Sequence, residues 1–300
     1  MYRSGFSALV CGLFRPLALL VILSSIAHSQ TTTPNAQPQP SSKPSPSLEK
    51  EFFRNILNDQ VDIWTLPFHM SREDTKLLAP IGLTSAALIA TDRRSANELT
   101  ENGGSKSRVR ISLQVSRLGS LYTTGGIATT FYLAGVAKHD SRARETGILG
   151  GEALIDAGIV DTVLKEVTQR PRPMVPDPKD DFFDGGLSFP SGHATSAWAL
   201  ATVVANEYHD HKAVQVAAYA LASAVSVSRF TARAHFLSDT FVGSVIGYGI
   251  GRFVYKKHHV ESMNENNQTS SLRKGDWIPS VAPLYSRKDR TYGLALTWRH

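Results

Sequence analysis

Phe52, Phe53, Ile56, Leu57 and Val61 recur at steps of three and four residues, which predicts an amphipathic helix from Glu49 onward. A short apolar loop, Ile63 to Phe68, follows it. Ser71 to Asp74 has the look of a helix start and leads into a second helix over Leu77 to Ala90. Gly103-Gly104-Ser105 reads as a loop. Leu118 to Ala137 is uncharged over twenty residues, long enough to span a bilayer, yet nine of them are Gly, Ser or Thr. It fits the buried central helix of a bundle equally well. Gly147 to Lys165 reads as a further helix, too charged at Glu152, Asp156 and Asp161 to face lipid. Three apolar segments follow at 193–206, 213–228 and 236–251, and Lys256 to His259 closes the helical part. Glu261 to Leu272 reads as a flexible polar tail. Tyr292, Leu294, Leu296 and Trp298 then alternate, which predicts a terminal β-hairpin with the preceding Trp277 to Tyr285. The pattern predicts an all-α protein: one helical bundle domain over 49–259, then a tail over 260–300.

Composition adds the N-terminal organisation. Arg3 and Arg15 precede an apolar core of ten residues, Leu17 to Ile26, broken only by Ser24 and Ser25, and Ala27-His28-Ser29 has a small-x-small pattern, so 1–29 read as a secretory signal peptide. Residues 30–48, rich in Pro, Ser, Thr and Gln, read as a disordered linker. The single cysteine, Cys11, falls in the signal segment, which leaves an exported domain without disulfides, thiol chemistry or cysteine metal sites. The formal charge of +6 becomes +4 without Arg3 and Arg15, and no basic run with interleaved aromatics marks a nucleic-acid surface. A mean hydropathy of −0.15 favours a soluble or peripheral protein.

The chemistry sits between Lys165 and Asp239, in three blocks. Lys165 and Arg172 are seven residues apart, so a continuing helix would put both on one face, and Pro171 and Pro173 end that helix. Arg170, five residues from Lys165, lies about 140° around the helix from that face. It is expected to point to solvent or to cap a carbonyl. The second block, Pro190-Ser191-Gly192-His193, precedes an apolar run and has the pattern of a helix start, whose free N–H groups bind anions. The third is Ser228-Arg229, then His235 and Asp239, spaced i, i+4. On one helix face the carboxylate would accept from the imidazole, fix its tautomer and leave the other ring nitrogen free to attack. Any one block alone is commonplace. All three in this order suit a multiply charged tetrahedral oxyanion.

At these residues the chain resembles the type 2 phosphatidic acid phosphatase superfamily, which takes in lipid phosphate phosphatases, bacterial class A acid phosphatases, glucose-6-phosphatase and the vanadium haloperoxidases. The resemblance implies an all-helical core, hydrolysis of phosphomonoesters or diphosphates without a metal or other cofactor, and a phosphohistidine intermediate. It further implies His235 as nucleophile, Asp239 as its orienting partner and His193 as general acid. Lys165, Arg172, Ser191, Gly192 and Arg229 are the implied phosphate cradle. Two other functions stay open at this point: a vanadate-dependent haloperoxidase, and a catalytically silent envelope-binding protein, against which the paired histidines argue. Lipid phosphates of the phosphatidate or isoprenyl diphosphate type are the expected substrates, the wording Phe189 to Ala194 being more similar to lipid-type members; soluble monoesters share the same phosphate site and stay open, as does peripheral or integral membrane association on the periplasmic side. The loop from Met174 to Phe189 carries Asp177, Asp180, Asp181 and Asp184; it lacks a calcium-loop pattern and reads as a solvated acidic mouth, with Phe182-Phe183 placed to touch an apolar leaving group.

Overall fold

The computed structural model describes residues 46–69, 71–101, 106–173, 181–274, 280–286 and 291–297. The signal segment, nearly all of the linker, the Gly103–Ser105 loop, Asp177, Asp180, Trp277 and Trp298 lie outside them. Among the described residues eight α-helices run in order: α1 (Pro46–Thr65), α2 (Arg72–Glu101), α3 (Lys106–Ser116), α4 (Leu121–Lys138), α5 (Ser141–Thr168), α6 (Gly192–Glu207), α7 (Lys212–Thr231) and α8 (Leu237–Lys274). Strands β1 (Ser280–Ser286) and β2 (Thr291–Thr297) pair antiparallel, Ser280 opposite Thr297 and Ser286 opposite Thr291. The alternating Tyr292, Leu294 and Leu296 lie on β2, and the connection 287–290 lies outside the described residues. The polar stretch after His259 differs from expectation: it continues α8 to Lys274. No Pro or Gly interrupts it between Gly251 and Lys274. The predicted loop at Ile63 to Phe68 is the end of α1 followed by one 3₁₀ turn, Leu66–Phe68.

Local chemistry sets the helix ends that matter. Asp140 caps α5, its side chain accepting from the Ala143 N–H at 3.1 Å. Gln169 ends the same helix in the left-handed region at φ 44°, and the two Arg-Pro pairs prevent its resumption. Ser120 caps α4 and accepts from the Thr123 N–H.

The core is the contact of α5, α6 and α8. Leu149, Ala153, Ala157 and Val160 of α5 meet Ala199 and Val203 of α6 and Ile250 and Val254 of α8. Burying a side chain such as Leu149, Val203 or Val254 contributes about 1.5–3 kcal/mol each. Helix α8 lies flush on α6 because glycine faces backbone there. A Cβ on Gly247 would stand 2.2 Å from the Thr195 carbonyl oxygen, and one on Gly243 2.7 Å from that of Ser191. That close approach brings the start of α8 against the start of α6, and with it His235 near His193.

Among the described residues, α7 is the helix long and apolar enough to cross a membrane by length and composition, with 28% of its apolar window buried. One such helix is weak evidence of a span. The uncharged stretch Leu118 to Ala137 does not meet the same measure.

Candidate active site

Three short segments meet where α5 ends and α6 and α8 begin. Lys165 lies in the last turn of α5, half-buried. Its Nζ donates to both carboxylate oxygens of Asp161, one turn earlier, and to the Pro190 carbonyl at 2.7 Å. Asp161 also backs the start of α6: a Cβ on Gly192 would come within 2.8 Å of its Oδ2. Glycine is thus the residue that lets the carboxylate, the ammonium and the helix start share one space.

Ser191 is the N-cap of α6, is fully buried, and makes no side-chain capping bond; its Oγ has no hydrogen-bond partner. Its N–H is used, donating to the Asp239 carbonyl at 3.0 Å. His193 follows in the first turn. Arg229, from the last turn of α7, is buried and donates from Nη1 to Ser116 Oγ at 3.2 Å, while its Nε lacks a partner. Arg172 is exposed on the segment after α5, and its charge is felt at Lys165, His193, Arg229 and His235. The three cations Lys165, Arg172 and Arg229 and the two histidines His193 and His235 therefore share one electrostatic neighbourhood.

His235 and Asp239 differ from the expected helical pair. His235 sits in the turn ahead of α8, 2% exposed, and its Nδ1 donates to the Ser188 backbone carbonyl at 2.8 Å. Asp239 Oδ2 stands 3.6 Å from that nitrogen, beyond hydrogen-bond reach, so it acts on the ring by charge. The tautomer is fixed by a carbonyl, and the same Nδ1–H assignment leaves Nε2 with the lone pair. Asp239 itself accepts from Ser188 Oγ at 2.5 Å, from the Phe236 N–H at 3.0 Å and from Arg170 Nη1 at 2.7 Å.

Arg170 corrects the sequence reading most plainly. It does not reach solvent: its side chain is 0% exposed. Nη1 donates to Asp239 and to Ser238 Oγ at 2.8 Å, and Nη2 donates to Asp92 Oδ2 at 3.0 Å. Its guanidinium lies over Phe236 and Phe182. Phe182 is turned inward, edge-on to Phe189, which leaves Phe183, exposed at φ 68°, as the member of that pair facing out. Asp92, from α2, also accepts from the Ser238 N–H at 3.1 Å and from its hydroxyl. Asp92, Asp161, Arg170, Ser188 and Ser238 are the residues that sequence reasoning missed. Only the Asp161–Lys165 spacing of four carried a legible hint.

Burial decides the protonation states. It pulls His193 down to about 4, helped by the nearby Arg229, His235 ring, Arg172 and Lys165. It pulls His235 below the usual imidazole value too, against the opposing pull of Asp239. It brings Arg229 down to about 10 and lowers Lys165, which Asp161 partly offsets. Burial would raise Asp239, but the neighbouring imidazole, Arg170 and Ser188 outweigh it and hold the carboxyl below its ordinary value. For Asp92 burial wins over Ser238 and Arg170, and the carboxyl is raised. Two neutral imidazoles beside three cations make a site that attracts an anion and offers it a nitrogen lone pair.

Residues 148–262, which hold all three blocks, match the family model of the PAP2 superfamily. Lipid A 1-phosphatase of Porphyromonas gingivalis is 36% identical over 69 residues, 23% of this chain and 16% of that protein, so the match spans about a sixth of the relative's length. Among solved structures, Aquifex aeolicus LpxE aligns at 23% identity and a TM-score of 0.43, over 53% of this chain and 92% of that one. The first transmembrane PAP2 type phosphatidylglycerolphosphate phosphatase from Bacillus subtilis aligns at 18% identity and 0.45, over 70% and 95%. Likenesses at these scores carry nothing about activity.

Proposed function

Because the chain carries a PAP2 superfamily segment at residues 148–262, we propose that it is a phosphatase acting on phosphomonoesters or diphosphates of lipids through a phosphohistidine on His235. The observation that carries this is the pairing of a buried, neutral His235, its Nδ1 engaged by a carbonyl, with the cationic neighbourhood of Lys165, Arg172 and Arg229. Binding alone needs the cations; a held imidazole lone pair adds a nucleophile.

In the proposed reaction Nε2 of His235 attacks phosphorus in line, and the P–O bond to the leaving alkoxide breaks. His193 protonates that alkoxide. With an acidity near 4 in the free site, His193 is neutral at pH 7. The negative charge of a bound phosphate offsets the cations that depress it, so the substrate brings the general acid into its protonated form. Lys165, Arg172, Arg229 and the start of α6 hold the phosphoryl oxygens; the partnerless Arg229 Nε and Ser191 Oγ are buried polar groups that such oxygens would satisfy. Water then attacks the phosphohistidine with His193 as base, and phosphate leaves. The Lys165–Asp161 pair has to loosen as phosphate enters. We place the enzyme on the periplasmic side, at a membrane surface; the lipid class of substrate follows the named relative and the exposed apolar residues of α7, such as Val216 and Val227.

The test is to mix the purified protein with a radiolabelled phosphatidate and quench in alkali. Base-stable, acid-labile label is expected on wild type and on His193→Ala, and none on His235→Ala. Label on a serine, or full turnover by His235→Ala, refutes the nucleophile. Halide oxidation with vanadate and peroxide in place of hydrolysis refutes the reaction class.

A further inference from the structure

We propose that Asp59, Glu152 and His258 form a structural site for a divalent first-row metal ion, joining α1 to α5 and α8 at a distance from the active site. Asp59 Oδ2, a Glu152 carboxylate oxygen and His258 Nε2 lie within 4.8 Å of one another, and all three residues are buried. His258 Nε2 is 2.8 Å from Asp59 Oδ2 and 3.7 Å from Glu152 Oε1. Ligands held about 2.0–2.2 Å from one ion stand roughly 3–3.5 Å apart, so a small contraction completes the set.

The independent observation is Glu152. Its side chain is 0% exposed, and neither carboxylate oxygen meets a donor in full hydrogen-bond geometry; the nearby Asn55 side chain only partly stabilises its charge. A buried carboxylate without donors is costly unless a cation meets it. The neighbours do not supply enough. Lys257 Nζ is spent on Asp59 Oδ1 at 2.8 Å and on the exposed Asp62 at 2.6 Å. Gln60 Nε2 donates to Asp156 Oδ1 at 2.9 Å, and Asp156 Oδ2 has no partner. Asp59, Glu152 and Asp156 as carboxylates outweigh Lys257 by two negative charges, which one divalent cation cancels. One imidazole with two carboxylates suits zinc or manganese, whereas an all-oxygen set would suit calcium.

The site is structural rather than catalytic. Glu152 precedes Lys165 by thirteen residues of α5, roughly 20 Å of helix, and His258 follows Asp239 by nineteen residues of α8, roughly 28 Å. What the ion would fasten is α1, which carries Asp59, to α5 and α8.

The experiment uses the full chain, purified without chelator. Metal analysis is expected to find one equivalent of zinc or manganese per chain. EDTA should lower Tm by several degrees while leaving phosphatase activity at 25 °C unchanged, and Zn²⁺ should restore Tm where Ca²⁺ does not. Glu152→Gln and His258→Gln should abolish the Zn²⁺ response. No retained metal together with a Tm indifferent to EDTA and Zn²⁺ overturns the proposal, and this arm needs no variant to fold. So does a Glu152→Leu protein more stable than wild type, the result for a buried carboxylate with no ion. Loss of activity on chelation at unchanged Tm would place the ion in the catalytic site and also overturn it.

Discussion

Replacing Arg170 with alanine separates the sequence's reading of this residue from the structure's. A solvent-facing arginine would cost little, leaving turnover within a few-fold of wild type. The buried guanidinium instead bridges Asp239 and Asp92 and donates to Ser238, with all three groups shut off from water. Removing one partner of a buried ion pair strands the other and costs about 3–5 kcal/mol. Here two carboxylates are stranded, and the lost stacking on Phe182 and Phe236 adds to the cost. We expect Arg170→Ala to lose at least ~3 kcal/mol in urea unfolding. The surviving folded protein should lose about a hundredfold or more in kcat/KM, because Asp239 and the Ser188 loop that hold His235 lose their anchor. Arg170→Lys should regain part of the stability but little of the rate, since an ammonium cannot bridge three acceptors in the geometry of a fork. Adding Asp92→Asn to Arg170→Ala should cost less than the sum of the two single changes, as expected for residues in contact. An Arg170→Ala protein within ~1 kcal/mol of wild type and within a few-fold in kcat/KM would refute the bridge.

Arg172→Ala, by contrast, should leave unfolding within ~1 kcal/mol, since the side chain is exposed, yet cut kcat/KM by about a hundredfold, or ~3 kcal/mol, as for one charge aimed at a developing oxyanion; equal losses of stability in the two arginine variants would sink the division of labour. The acid limb of kcat/KM should fall below pH 6.5, because burial depresses His235; Asp239 raises that group, so Asp239→Asn should move the limb to still lower pH, and a limb that moves upward refutes the assignment. Asp161→Asn should strengthen inhibition by inorganic phosphate about tenfold, worth ~1.4 kcal/mol, by removing the carboxylate that competes for Lys165; weaker inhibition would mean that Asp161 chiefly positions the lysine. Gly247→Leu should cost at least 1–3 kcal/mol, because its Cβ has no room beside the Thr195 carbonyl, and an unchanged urea midpoint would deny the close contact of α6 and α8.

What was legible in the sequence was periodicity and charge type at fixed spacing. The apolar repeats marked α1 and the core helices, because a three- to four-residue period belongs to one face of a helix. Lys165, Arg172, Ser191, His193, Arg229 and His235 could be grouped because each is a residue type with few structural uses in that pattern. Asp92 and Ser188 could not. Asp92 is one charge among many on α2, and its partner Ser238 is 146 residues away, a pairing that only tertiary packing creates. Arg170 was misread because helical angle was extended past Gln169, where φ 44° has already turned the chain. The end of α8 was set too early because polarity was taken for disorder, whereas Glu, Gln, Met and Arg are good helix formers whether or not they are buried.

The His235–Asp239 pair lies together as its spacing implies, but in a different geometry. A spacing of four implies one helical face, and a carboxylate bonded to the imidazole would then orient it. The chain instead begins α8 only at Leu237, so His235 belongs to the turn, and Asp239 turns back to accept the Phe236 N–H of its own first turn. That leaves orientation of the ring to the Ser188 carbonyl. It leaves Asp239 to hold the Ser188 hydroxyl and Arg170 together, while its charge opposes the desolvation of the imidazole. The division has a chemical consequence. A carboxylate in direct contact would raise the imidazole's affinity for a proton, whereas a carbonyl at Nδ1 and a carboxylate at 3.6 Å keep the ring oriented yet neutral. The nucleophilic role proposed for His235 needs that combination, because a protonated imidazole has no lone pair to give to phosphorus.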